Sequence, residues 1–129
     1  MGSKTKGTRA ERELLHMFYE NDWSCCRVAG SGSSPFPAPD LLAGKKDKKF
    51  AIECKNIKGN KKYIDKEAVE ELLIFSENFG VIPIIAIKFD NHGWYFLNPD
   101  KLEKSKNGNY NISIEDAQKK GLSFKELIR

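Results

Sequence analysis

The sequence predicts a mixed α/β fold in which a central mixed β-sheet is flanked by helices. Three observations point there. Leu14, Leu15 and Phe18 recur at helical spacing near the start, Lys49–Lys55 alternates between apolar and polar residues, and Ile84–Ile87 is uniformly apolar with a second helical segment before it.

The elements follow in order. A helix spans about Thr8 to Tyr19, where Ala-Glu-Arg-Glu-Leu-Leu has good helix propensity, and Asn21-Asp22 ends it. Ser24 to Val28 reads as a short strand. Ala29 to Pro39 holds glycines, serines and three prolines, so it is a long loop, and such loops inside compact domains are usually functional. Asp40–Ala43 forms a short strand that turns at Gly44–Asp47 into a second, Lys48–Lys55. Asn56–Lys62 is a polar, basic connector. Asp65 is a suitable N-cap for a helix reaching Phe79, stopped by Gly80. Pro83 opens the Ile84–Ile87 strand, apolar enough to be covered on both faces. Asp90–Gly93 supplies turn chemistry before strand Trp94–Leu97, a hairpin closed by Asn98–Asp100. Residues 104–111 read as polar loop, and Ser123–Ile128 as a short terminal helix.

A chain of 129 residues accommodates a single domain, 1–129. With 40% hydrophobic and 31% charged residues it belongs with globular rather than disordered chains. The longest nearly unbroken apolar run, Val81–Ile87, falls far short of the ~20 residues of a membrane span, so no membrane partner is expected. No apolar stretch follows the opening residues, so no secretory signal is expected either. Cys25, Cys26 and Cys54 are odd in number and lack CxxC spacing, which argues against a disulfide framework or a zinc site. A reduced, cytoplasmic protein is the expectation. The net charge of +4 suits a polyanionic partner or a plain basic surface equally well.

Strand alternation puts Phe50, Ile52 and Cys54 on one face and Lys49, Ala51, Glu53 and Lys55 on the other. Glu53 and Lys55 are then same-face neighbours, either a solvated ion pair or part of a site. The turn at residues 44–47 carries Asp40 back to the level of residues 51–53. Two close carboxylates raise each other's pKa unless a cation intervenes, and a hard divalent ion with oxygen ligands resolves that conflict. As a lone residue, Asp40 is equally well explained as a turn residue after Pro39. Glu11 lies on the apolar stripe of the first helix, where it either snorkels at the helix start or points into a polar site.

Pro39-Asp40, twelve intervening residues, then Glu53-Cys54-Lys55 resemble the PD-(D/E)XK nuclease motif. The flanking stretches Lys6–Leu15, Arg27–Ser31, Ser33–Asp40, Ala51–Lys55, Phe75–Gly80 and Pro83–Phe89 followed by Gly93-Trp94 are similar to the archaeal Holliday junction resolvases (the Hjc/Hje family). The likeness spans about residues 6–97. It implies a restriction-endonuclease-like nuclease core. It further implies a homodimeric endonuclease, dependent on Mg²⁺ (Mn²⁺ substituting) with one or two ions per active site, that cuts four-way junction DNA in pairs. The family's catalytic positions fall on Glu11, Ser31, Asp40, Glu53 and Lys55, and basic residues implicated around DNA fall on Arg12 and Arg27.

On that reading Asp40, Glu53, Glu11 and the backbone carbonyl of Cys54 hold the metal, and Lys55 orients the attacking hydroxide or the phosphate. Ser31 either contacts the scissile phosphate or belongs to a flexible Gly-Ser tract. Lys6, Arg9, Arg12, Arg27, Lys58, Lys61 and Lys62 are the expected DNA contacts, each to backbone phosphates. Trp94 and Tyr95 are expected in the core. In the second helix Ala68, Leu72, Phe75 and Phe79 form one stripe beside Val69, Leu73 and Ser76. One stripe should pack on the sheet, leaving the aromatic one as a dimer seam. The alternatives are a related nuclease acting on flap or duplex DNA and a non-catalytic DNA-binding module.

Overall fold

The computed structural model describes residues 2–29 and 35–129, with side chains from Thr8 onward. Its elements are α1 (Gly2–Glu20), β1 (Ser24–Arg27), β2 (Leu41–Lys45), β3 (Lys48–Ile57), β4 (Lys61–Ile64), α2 (Lys66–Phe79), β5 (Ile82–Phe89), β6 (Gly93–Leu97), a 3₁₀ turn (Pro99–Lys101), β7 (Glu103–Lys104), β8 (Tyr110–Ser113), α3 (Ile114–Lys120) and α4 (Phe124–Leu127). The central sheet runs β1-β2-β3-β5-β6. Its ladders are antiparallel except β3·β5, which is parallel and bridged by the crossover that contains α2. The expected mixed sheet with flanking helices is thus present.

Each face of the sheet buries its own apolar cluster. Leu14 and Phe18 of α1 pack with Trp23, Leu41, Phe50, Ile52, Ala86 and Phe96 on one side. Val69 and Leu72 of α2 pack with Ala51, Ile85, Ile87, Phe89 and Ile112 on the other. The alternation of β3 is therefore as read: Phe50 and Ile52 face α1, whereas Ala51 faces α2. Trp23 stacks on Phe50 with ring centroids 5.4 Å apart, and Phe18 meets Phe124 edge-on at 5.1 Å, tying α4 to α1.

Several elements differ from the sequence reading. The first helix begins at Gly2, ahead of Thr8. Asn56–Lys62 is not a connector: β3 continues through Ile57, and Lys61–Ile64 pairs with β8 in a second sheet, β4-β8-β7. Residues 104–111 are bounded by the short strands β7 and β8 of that sheet, and α3 was not anticipated. Asp65 precedes α2 as its N-cap residue but makes no side-chain capping bond. Gly80 ends α2 in the left-handed conformation, φ 81°, the geometry that favours glycine there. Val69, Leu72 and Ser76 are the buried residues of α2, so Leu72 belongs to the core rather than to an outer aromatic stripe, and Leu73 is exposed. No helix among the described residues is long and apolar enough to cross a membrane.

One mismatch of strand lengths positions the site. β3 is ten residues long, yet it pairs with β2 only over Lys48–Ile52 and with β5 over Phe50–Ile57. From Glu53 onward its β2-side edge runs past the end of its neighbour.

Phe18 is fully buried between the rings of Trp23 and Phe124. Phe18→Ala is expected to cost about 3–5 kcal/mol of stability in chemical unfolding. A cost under about 1 kcal/mol would contradict this packing.

Candidate active site

Asp40 lies immediately before β2 and is fixed by its backbone on both sides. Its N–H donates to the Ile52 carbonyl at 3.0 Å, and its carbonyl accepts from Val28 N–H at 2.9 Å. Its carboxylate then reaches along the exposed edge of β3, where Oδ2 accepts from Cys54 N–H at 2.9 Å. The acid takes the place of the ladder carbonyl that β2 is too short to provide. In a strand the N–H and C=O of one residue point to the same neighbour, so the Cys54 carbonyl also faces this edge.

Glu53 precedes Cys54 and pairs with Lys55, Nζ to Oε2 at 3.6 Å, as the E-x-K spacing suggested. Burial, then the nearby Asp40 charge, push its carboxyl up to about 7 despite Lys55, and Glu11 adds in the same direction. Glu11 arrives from α1, half-buried, and accepts from Arg27 Nε at 3.1 Å. Burial, then Asp40, push its carboxyl up, with Arg27 acting against them. Glu11 thus points toward the polar edge rather than snorkelling into solvent. Burial and the charges of Asp40, Glu11 and Glu53 push the Cys54 thiol well up, which keeps it protonated at neutral pH. The Cys54 backbone, meanwhile, offers a carbonyl oxygen on the exposed edge.

Three mutually repelling carboxylates with oxygen donors are chemically suited to a hard divalent cation. Each is presently held by its own partner: Cys54 N–H, Lys55 or Arg27. Among the described residues, no three His, Cys, Asp or Glu side chains form a closed metal cage. The acids are coupled through their charges, short of full convergence.

The other expected site residues are placed variously. Arg9 and Arg12 are exposed on α1, and Lys58 is exposed beyond β3. Lys61 and Lys62 are exposed on β4, hence on the second sheet. Arg27, expected at DNA, has its Nε on Glu11. Ser31 and the Lys6 side chain fall outside the described residues. Trp94 and Tyr95 are half-buried against the two core clusters. One residue went unanticipated: Glu13 accepts from Trp94 Nε1 at 2.6 Å and Lys88 Nζ at 2.8 Å, fastening α1 across β5 and β6. Its sequence signal was Lys88, a lone charge in an otherwise apolar strand.

The family model for archaeal Holliday junction resolvase (Hjc) matches residues 2–129. The chain belongs to the archaeal Holliday junction resolvase family. It is 36% identical over 129 residues to the crossover junction endodeoxyribonuclease Hjc of Archaeoglobus fulgidus, covering 95% of each chain. It is 39% identical over 100 residues to the crossover junction endodeoxyribonuclease Hje of Saccharolobus solfataricus, covering 75% of this chain and 74% of that one. The solved structure of the A. fulgidus Hjc, described as a Holliday junction resolvase, superimposes with a TM-score of 0.87 at 35% identity. That match covers 93% of this resolvase chain and 96% of the other.

The raised carboxyl of Glu53 has a consequence for stability. The folded state keeps a proton that the unfolded chain releases near 4.5, so the stability linked to that proton is intact below about 4.5. It is lost as pH rises through about 7. The melting temperature of the metal-free protein is expected to fall between pH 5 and pH 8, and Glu53→Gln to flatten the fall. An identical slope in the variant would contradict the placement of Glu53.

Proposed function

We propose that this chain is a structure-specific endodeoxyribonuclease that resolves four-way DNA junctions by paired, metal-dependent phosphodiester hydrolysis. Family membership supports the activity. The observation that carries the site is the Asp40 carboxylate, locked by Cys54 N–H beside a Glu53 that burial and charge hold near 7.

Asp40, Glu53 and the Cys54 carbonyl, joined by Glu11, are the residues that would hold Mg²⁺ or Mn²⁺, one ion or two. When bound, such a cation lowers the pKa of water and offsets charge growing on the phosphate. Lys55 stays on the Glu53 side of the edge and orients the nucleophile or hydrogen-bonds a phosphate oxygen. Arg27 neutralises Glu11 and keeps it aimed at Asp40. Arg9, Arg12, Lys58, Lys61 and Lys62, with Lys6, contact backbone phosphates, which gives affinity without sequence preference. Ser31 supplies a further contact to the scissile phosphate.

A junction with near two-fold symmetry is matched by a C₂ pair of subunits, each nicking one strand. The apolar surface for that pairing lies on the outer side and C-terminal end of α2. Phe79 is 60% exposed and stacks on Phe75 at 5.0 Å, with Leu73, Ile74 and Ile82 also exposed nearby in sequence. Apolar side chains held together at the surface, as Phe79 is on Phe75, mark a candidate interaction surface.

Incubation with labelled four-way junction and Mg²⁺ tests the activity, and symmetric nicks are expected. Asp40→Ala or Glu53→Ala is expected to lower cleavage by roughly a hundredfold or more while junction binding persists. Retained cleavage would remove that residue from the metal site. Phe79→Glu is expected to shift the sedimenting species from dimer to monomer and to uncouple the two nicks; an unchanged dimer would relocate the seam.

A further inference from the structure

The second sheet does more than cover the core. In β4 Ile64 is buried at 1% exposure, whereas its neighbour Tyr63 is 64% exposed. The pairing Tyr63↔Asn111 and Ile64↔Tyr110, with Ile112 fully buried, fixes that contrast. Tyr63 is therefore held outward by register.

Its surroundings are polar and basic. Lys61 shares the outer face and places Nζ 5.4 Å from the Tyr63 ring centroid. A basin of about 520 Å³ opens beside the ring, lined by Tyr63, Ser105, Lys106, Asn107 and Asn109. The loop that walls it is well tied. Ser105 Oγ donates to the Asn109 carbonyl at 2.8 Å, and Asn109 Oδ1 accepts from Lys66 N–H at 3.0 Å at the start of α2. Glu103 is the acid on this outer face, and Lys120 pairs with it at 3.7 Å. The exposed aromatic surface is thus framed by Lys61 and Lys106, with Glu103 of the same face paired to Lys120.

Lys61 follows Lys55 by six residues, so this face lies within roughly 20 Å of the candidate active site along the chain. We infer that the outer face of the small sheet is a second DNA contact surface: Tyr63 packs its ring on the deoxyribose and base edge of one nucleotide in a junction arm, flanked by Lys61 and Lys106 on phosphates. An aromatic face beside cations suits a polyanion with flat, apolar bases, and it tolerates any sequence. The inference rests on the resolvase reading, because it needs the arm that leaves the cleavage site.

The test is junction binding without metal, so that cleavage does not intervene. Wild type must first bind the four-way junction; failure there would sink the resolvase reading itself, not this surface alone. Given binding, Tyr63→Ala is expected to raise Kd roughly tenfold. Tyr63→Phe should stay near wild type, and Lys61→Gln should reduce the salt slope by about one. Trimming the arms to a few base pairs should erase the difference between wild type and Tyr63→Ala. Equal affinity for wild type and Tyr63→Ala would overturn the proposal. So would an equal loss in Tyr63→Phe, which would place the effect in the hydroxyl, or a change in self-association with DNA affinity intact, which would assign the face to a second copy.

Discussion

The hydrogen bond from Cys54 N–H to the Asp40 carboxylate is the constraint on which the rest of the site depends. It exists because β3 outruns β2, leaving a strand edge with backbone groups that need partners. A carboxylate satisfies one of them and is thereby placed against the next acid along the strand. Removing the overhang would pair Cys54 N–H with an ordinary carbonyl, and Asp40 would have no reason to sit there. The proposed catalytic geometry follows from an unfinished β-ladder.

Around that bond the molecule accumulates like charge and then manages it. Burial, then the nearby Asp40 charge, raise the carboxyls of Glu53 and Glu11, while Lys55 and Arg27 oppose the effect. Such a cluster is costly in the absence of a cation, and that cost is what gives a divalent ion its purchase. The two helices hold the acids to this arrangement from opposite sides. α1 is clamped at Glu13 by Trp94 and Lys88, which sets Glu11 within reach of the edge. On the other face α2 packs on β3 and β5, and Ala51, on the Glu53 face, lies in its core cluster.

Much of this was legible in the residues. Phe50 and Ile52 against Ala51, Glu53 and Lys55 declare the faces of β3, and the turn at 44–47 returns Asp40 to its level. Both signals are local, so short-range rules suffice. β4 was illegible for the opposite reason: Lys61-Lys62-Tyr63 has no buried residue, and only pairing with the distant β8 makes it a strand. The small sheet, and with it the outward set of Tyr63, is a tertiary product. Glu11 could not be decided from spacing alone, since its partner Arg27 comes from β1, sixteen residues on. On α2 only Leu72 and Leu73 are exchanged: Val69 and Ser76 are buried and Phe79 exposed as the two stripes predict, and which neighbour of a stripe meets the sheet is decided by packing rather than by spacing.

Asp40 and Glu53 are proposed to hold a hard cation jointly at the β3 edge. Electron paramagnetic resonance of Mn²⁺ titrated into the protein–junction complex tests it without relying on cleavage. Bound Mn²⁺ is expected in the wild-type complex and its loss in both Asp40→Asn and Glu53→Gln, with the junction still bound. Undiminished Mn²⁺ binding in both variants would contradict it.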